Sequence, residues 1–209
     1  MAWSDFWDFG FSGIGDFACH DLNTAVRAFD LPLPSKIEAH AAGLMDSEIA
    51  PHGALIDFTF PAAGYCPEIR MTWYDGGMMP PTPVALGRFP LPKRGCLFIG
   101  EKGVIQCDGG GGDPRLFPDA RRAEYAKPAP KLKRSNGHHR DWIDACKGGD
   151  PATSPFAYAA HLTEIALLGL LSLRAQKPIQ WDAAGMKATG LPAADPFIRE
   201  SVRPGWEIV

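Results

Sequence analysis

Features that mark several common functional classes are missing from this sequence. Its 209 residues include five cysteines, an odd number without a C-x-x-C pair, which argues against a disulfide framework or a zinc site and predicts buried thiols. The first eight residues carry two aspartates and no lysine or arginine, so no secretion signal is visible. We therefore take the cytoplasm as the default compartment.

The sequence also lacks a basic surface for nucleic acid and a long apolar run. Lysine and arginine total 21 against 24 acidic residues, and the densest cationic stretch, residues 127–140, contains two prolines and no aromatic residue. Such a stretch is typical of a solvated linker. The most apolar run, residues 165–171, is much shorter than the roughly 20 residues that span a bilayer. It predicts a core helix, and we expect neither a nucleic acid nor a membrane as partner.

A dinucleotide-binding loop is missing as well. A Gly-rich turn of the form G-x-G-x-x-G between a strand and a helix would mark one, and G-x-x-x-x-G-K-[ST] would mark a phosphate loop. The four-glycine run at residues 109–112 fits neither pattern and predicts a flexible loop. We expect this chain alone to bind neither NAD nor NADP.

Hydrophobic periodicity predicts three helices and five strands. Apolar residues recur at helical spacing over residues 14–29, 138–147 and 158–174. They alternate, as in strands, over residues 36–42, 54–60, 68–74, 95–100 and 104–107, and the last two of these form a hairpin. Residues 78–92, 108–130 and the tail from 177 are expected to be irregular, apart from a short turn near Phe197. This order predicts one α+β domain over residues 1–209, an antiparallel-rich open sheet with helices on one face.

The first predicted helix carries a polar stripe formed by Asp16, His20, Asn23 and Arg27, at positions i, i+4, i+7 and i+11. Residues four apart on a helix lie about 5–6 Å apart at Cβ, so Asp16 is able to accept a hydrogen bond from the His20 ring. A carboxylate in that position suits a histidine that acts as general acid and base near neutral pH. The alternative is an acidic first turn followed by a surface histidine.

Five sequence blocks resemble one enzyme family. The first joins a turn containing Gly13 and Gly15 to the D-x-x-x-H pattern of Asp16 and His20. The other blocks follow in order: TWYDGG at residues 72–77, LFIGEKG at 97–103, SNGHHRDW at 135–142, and the FIR and GW pieces between 197 and 206. Together they resemble the bacterial subgroup of the glucose-fructose oxidoreductase / inositol dehydrogenase / MocA family.

The resemblance implies a two-domain enzyme in which an N-terminal Rossmann domain holds NAD or NADP. The C-terminal sheet domain then supplies the pocket for a sugar or polyol and the oligomer interface. His20 matches the usual acid and base on the sugar hydroxyl, Asp16 contacts the substrate or the histidine, and a lysine from the Rossmann domain completes the site. Asn23 is a further candidate for substrate binding. Since no Rossmann unit is present, the chain is expected to be the C-terminal substrate domain, as a fragment or a split gene product.

Other blocks contribute weaker candidates for substrate binding. Tyr74 and Asp75 end a predicted strand at a Gly-Gly turn, where an aromatic ring and a carboxylate are able to line a carbohydrate site. Trp73 lies in the apolar phase and is expected in the core. His138 and His139 open a predicted helix and point about 100° apart, so they favour a pocket contact over a metal pair. No metal site is predicted.

Two alternatives to an oxidoreductase substrate domain stay open. One is a non-catalytic domain for oligomerisation or carbohydrate binding. The other is a parent enzyme in which transient oxidation by bound NAD assists glycoside hydrolysis or elimination. In each case we expect a homo-oligomer through the sheet, because one face carries more large apolar side chains than a single helix layer covers. These are Ile56, Phe58, Phe60, Ile69, Met71 and Trp73.

Overall fold

A computed structural model describes residues 3–132, 134–199 and 202–206. Its helices are α1 (Ser12–Phe29), α2 (Asp119–Glu124), α3 (His138–Cys146), α4 (Phe156–Ala175) and α5 (Asp195–Ile198). Its strands are β1 (Lys36–Ala42), β2 (Gly53–Phe60), β3 (Ile69–Tyr74), β4 (Gly95–Gly100), β5 (Gly103–Asp108), β6 (Arg115–Phe117), β7 (Ile179–Asp182) and β8 (Lys187–Ala188). The three predicted helices and five predicted strands are all present, with ends that differ from the predicted ones by at most two residues.

The strands form two sheets. The larger sheet has five strands in the order β3-β2-β1-β7-β8, and the smaller has three in the order β4-β5-β6. Every pair is antiparallel. In the larger sheet Ile37 lies opposite Phe58, and Ile56 lies opposite Trp73. This register places the apolar residues of β1, β2 and β3 on one face.

That apolar face is covered by α1 and α4. Ile56, Phe58 and Phe60 are fully buried, as side chains of period two are when one face of a sheet meets helices. Gly169 of α4 allows the close approach, because a Cβ there would lie 2.8 Å from Ile14 of α1 and 3.0 Å from Phe58. The opposite face carries Asp57, Arg70 and Thr72, which are exposed. The fold is therefore α+β with helices on one face of an open sheet, as predicted.

Helix α4 is long and apolar enough, by length and composition, to be a candidate membrane span, and half of that apolar window is buried inside the protein. Its buried residues include Ile165, Leu168 and Leu171 of the run that predicted a core helix. They belong to the same core cluster as Ile56 and Phe58. In this structure α4 is the central helix of the core.

The smaller sheet has a core of its own and rests on α1. Leu86, Val104 and Phe117 form a separate buried cluster on one face of this sheet. On the other side, the Phe98 ring of β4 lies 5.8 Å from the Phe29 ring of α1. The predicted hairpin is confirmed, but it belongs to this second sheet and not to the larger one.

The irregular stretches were predicted incorrectly in two places. The tail contributes β7 and β8 to the larger sheet, and residues 108–130 contain β6 and α2. These elements are only two to six residues long, which is too short for a recognisable hydrophobic pattern. They are held by pairing with longer strands, such as that of Ile179 with Ile37.

The apolar face of the larger sheet is covered within the chain, which removes the reason for expecting an oligomer through that face. Ile56, Phe58, Phe60 and Trp73 are buried within the chain, and Ile69 and Met71 pack partly buried against the same core cluster. The helix layer over this face consists of α1 and α4, and the large side chains of the sheet pack against it inside the chain. Association of the chain with itself stays a prediction without that support.

Candidate functional site

The polar stripe of α1 divides into an exposed half and a packed half. Asp16 and His20 are exposed. Farther along, the Tyr158 hydroxyl donates to the side-chain oxygen of Asn23, and the Arg27 guanidinium donates to the carbonyl of Thr153 at 2.9 Å. Arg27 also stacks 4.2 Å above the Tyr158 ring. Asn23 and Arg27 therefore attach α1 to the start of α4, while Asp16 and His20 are open to a ligand.

Asp16 and His20 lie one turn apart on the same side of α1, as their spacing predicts. Among the contacts of the described residues, no hydrogen bond or ion pair joins their side chains. The aspartate is therefore free to turn towards the imidazole or towards a bound hydroxyl. The catalytic pairing of these two residues stays a prediction.

A wide cleft opens on another side of α1, between that helix, the end of β3 and the smaller sheet. Its volume is about 2170 Å³. Aromatic and charged side chains share its wall, among them Phe17, Trp73, Tyr74, Arg94 and Tyr125. Tyr74 and Asp75 line this cleft, but Asp16, His20, His138 and His139 do not. The residues predicted from sequence are thus divided between two surfaces.

The Asp75 carboxylate accepts hydrogen bonds from other groups of the fold. Its carboxylate accepts a hydrogen bond from the backbone N–H of Ala54 and another, at 2.8 Å, from the indole N–H of Trp73. A Cβ on Gly13 would lie 2.9 Å from this carboxylate, so the glycine at the start of α1 makes room for it. Both carboxylate oxygens accept protein donors, and Tyr74 is the less constrained of the two candidates.

Sequence reasoning did not single out Asp21, which is the best-connected carboxylate of the cleft. It is buried, and it accepts hydrogen bonds from Arg94 Nε and Nη2 and from the N–H of Gly110 at 3.2 Å. These bonds raise the pKa of the Arg94 guanidinium. Arg94 in turn stacks 4.4 Å above the ring of Phe17. One signal was visible in the sequence. Asp21 lies four residues from both Phe17 and Ala25, so the acid falls on the same side of α1 as these two apolar residues.

The glycine run at residues 109–112 does not fit a dinucleotide. It forms a 3-10 turn that leads into β6, whereas a phosphate site needs the N-terminus of a helix after the turn. The N–H of Gly110 already points at the Asp21 carboxylate, whose charge would repel a phosphate. A Cβ on Gly111 would overlap Thr24 of α1, so the run packs against the helix. The glycine run therefore lacks the geometry of a Rossmann-type phosphate-binding turn, and the absence of dinucleotide binding by this chain stays a prediction.

Helix α3 presents the two adjacent histidines to solvent. None of its residues is buried, and the rings of His138 and His139 lie 4.0 Å apart, centre to centre. The helix begins after Gly137, whose N–H donates to the Ser135 hydroxyl at 3.1 Å. No cluster of three or more potential metal ligands occurs among the described residues. A role for these histidines in binding a substrate stays a prediction.

The five cysteines differ in exposure, contrary to the expectation of buried thiols. Cys66 and Cys107 are buried and Cys96 is half-buried, but Cys19 and Cys146 are exposed.

No protein-family model and no curated protein matches the chain. The assignment of a function therefore depends on the sequence blocks and on the geometry.

Proposed function

We propose that this chain is the substrate domain of an oxidoreductase that acts on a hydroxyl of a sugar or polyol. In this proposal His20 accepts the hydroxyl proton, and Asp16 orients the imidazole or binds a neighbouring hydroxyl. NAD or NADP is held by a Rossmann unit outside these 209 residues, because the glycine run of this chain does not fit a dinucleotide.

The exposure of Asp16 and His20 on one side of α1 is the observation that carries the proposal. A general base has to reach its substrate, and both side chains are open to solvent at neighbouring turns of a helix whose other side is anchored in the core. Ile14, Ala18 and Leu22 anchor it, so the backbone under the pair is rigid. A site built on such an element holds its geometry well.

The fold class supports the same proposal. An open antiparallel sheet with helices on one face is the architecture that the resemblance implies for the substrate domain. The motif block containing Gly13, Gly15, Asp16 and His20 occupies the first turns of α1, where the resemblance expects a helix to open. Gly13 is required there by its contact with Asp75, which ties this block to the TWYDGG block.

A second candidate function is carbohydrate binding without catalysis. The separation of the cleft from the Asp16 and His20 pair favours it, because Tyr74 and Phe17 offer aromatic surface in a cleft that lacks the proposed base. Aromatic rings with a few polar groups are typical of small-molecule sites. In that case the cleft binds the sugar and His20 has no role.

Ligand mapping by NMR on the labelled chain separates these functions. A cyclitol and a hexose are titrated separately, with ethylene glycol as a control for weak hydroxyl contacts. The proposal predicts that signals of His20 and of the first two turns of α1 shift, and that His20→Ala weakens binding at least several-fold. The second candidate predicts shifts at Tyr74 and Phe17 that His20→Ala leaves unchanged. If neither surface responds to the sugars more than to ethylene glycol, both functions are contradicted.

A further inference from the structure

Cys96 and Cys107 lie directly opposite each other in the hairpin of the smaller sheet. In an antiparallel pair the Cα atoms of such partners are about 4.5–5.5 Å apart, and their side chains point to the same face. A disulfide requires Cα atoms about 4.4–6.8 Å apart. The backbone therefore already holds the two cysteines at bonding separation, with no change of register needed.

The two thiols interact with each other and with α1. The Cys96 Sγ donates to the carbonyl of Asp21 at 3.3 Å, and the Cys107 Sγ lies 3.9 Å from the carbonyl of Cys96. The single Cys96 thiol proton has two acceptors: it donates to the Asp21 carbonyl when Cys107 is protonated, and its donation to an ionised Cys107 lowers the pKa of that thiol to about 7, against the opposing effect of burial. The same bond and burial raise the pKa of Cys96. The Cys107 thiol therefore ionises before the Cys96 thiol.

Access to the pair is limited to small molecules. Cys107 is only 2% exposed, whereas Cys96 is half-buried and lines the cleft. A hydroperoxide is small enough to enter by this route, while a bulky disulfide such as glutathione disulfide is excluded from Cys107. The burial of Cys107, and not the width of the cleft, limits the size of an oxidant that reaches its sulfur.

We propose that Cys96 and Cys107 are a redox site that a hydroperoxide converts to a cross-strand disulfide. The Cys107 thiolate attacks one oxygen of the O–O bond, which forms a sulfenic acid and releases water from hydrogen peroxide after protonation. The Cys96 sulfur then attacks the Cys107 sulfur and expels the sulfenic oxygen as a second water. Two thiols lose two electrons and two protons, and one peroxide becomes two waters. This inference does not depend on the proposed function.

The disulfide acts on the contact between the smaller sheet and α1. Oxidised Cys96 has no S–H, so the carbonyl of Asp21 loses that donor, next to the carboxylate that binds Arg94. The wall of the cleft changes at the same time, because Cys96 and Arg94 both line it. The redox state of the pair thereby sets the shape of one wall of the cleft.

Peptide mapping after exposure to hydrogen peroxide tests the proposal. Trypsin cleaves after Arg94, Lys102 and Arg115, so Cys96 and Cys107 fall in different peptides, residues 95–102 and 103–115. Free thiols are alkylated in denaturant before digestion without reductant. The expected product is one cross-linked peptide pair that is lighter than the sum of the two reduced peptides by two hydrogen atoms, and dithiothreitol separates it.

Two further samples make the outcome decisive. In Cys96→Ala the resolving thiol is absent, so Cys107 accumulates as a sulfenic acid, which a 1,3-diketone probe added together with denaturant traps, and in wild type this trapping falls several-fold. Cys19→Ser with Cys146→Ser removes the exposed thiols and leaves the cross-link unchanged. If peroxide oxidises Cys19 and Cys146 while peptides 95–102 and 103–115 stay reduced, or if each is oxidised without a cross-link, the proposal is overturned. The wild-type map gives this answer even when a variant fails to fold.

Discussion

Arg94, the residue just before β4 of the smaller sheet, donates to Asp21 of α1 through two nitrogens. Its Nε and Nη2 atoms are each 2.9 Å from a carboxylate oxygen. The carboxylate is buried, and the guanidinium covers the Phe17 ring. A bidentate pair of a guanidinium and a carboxylate fixes the relative orientation of the two groups and also attracts them to each other. Asp21 and Arg94 thus fix the smaller sheet against α1 and form one side of the cleft.

The first prediction concerns the charge of Asp21. Asp21→Asn keeps the shape but replaces one acceptor with an amide NH₂ that faces the Arg94 donors. We expect a loss of about 1–3 kcal/mol in the free energy of unfolding, the usual range for a buried group left without its partner. Urea denaturation measures it, with Asp16→Asn on the exposed side of α1 as a matched control that changes stability by less than about 0.5 kcal/mol. Equal stability of the two variants would show that the pair contributes nothing.

The second prediction concerns Ser172, which is buried in α4 with no exposed surface. Its hydroxyl accepts from the N–H of Ala39 in β1 at 3.1 Å and donates to the carbonyl of Lys177 at 2.9 Å. Ser172→Ala leaves both backbone groups without this partner, and we expect a loss of about 1–3 kcal/mol. The exposed Ser154→Ala is the control. An unchanged denaturation midpoint for Ser172→Ala would mean that water replaces the hydroxyl.

Much of the fold follows from periodicity, but the site depends on contacts between distant segments. Ile56, Phe58 and Phe60 alternate clearly, so β2 was predictable, whereas the four residues of β7 carry too short a pattern. The predicted hairpin left three residues, 101–103, between its strands, whereas the structure has a two-residue turn at Glu101 and Lys102, so the register that places Cys96 opposite Cys107 was not predicted. The division of Asp16 and His20 from Tyr74 was not predictable, because it depends on how α1 rotates over the sheet.

The third prediction is that the chain alone does not bind NAD or NADP. The N–H of Gly110 is bonded to Asp21, and the glycine turn is followed by a strand, so no helix N-terminus faces a phosphate. Isothermal titration calorimetry of the 209-residue chain is expected to show no heat beyond dilution for either dinucleotide, with an NAD-dependent dehydrogenase as positive control. Saturable binding would contradict the proposal that a separate Rossmann unit, and not this chain, holds the dinucleotide.

The last prediction is the pH dependence of the reaction of Cys107 with peroxide. The pKa of Cys107 is lowered to about 7 by the hydrogen bond from Cys96. Since the thiolate is the nucleophile, the rate rises as pH increases through this pKa, and it is about tenfold higher at pH 8 than at pH 6. The neighbouring charges act in opposite directions: the carboxylates of Asp108 and Asp21 raise the pKa of Cys107, and Arg94 lowers that of Cys96.

Reactions at a series of pH values give this profile when they are stopped with catalase, alkylated in denaturant at neutral pH and mapped by mass spectrometry. In Cys96→Ala the donor is gone and burial dominates, so the midpoint for trapping the Cys107 sulfenic acid moves to higher pH. Asp16→Asn, which is outside the cleft wall, leaves the profile where it is in wild type. A profile with the same midpoint in wild type and Cys96→Ala would show that the Cys96 thiol does not set the reactivity of Cys107.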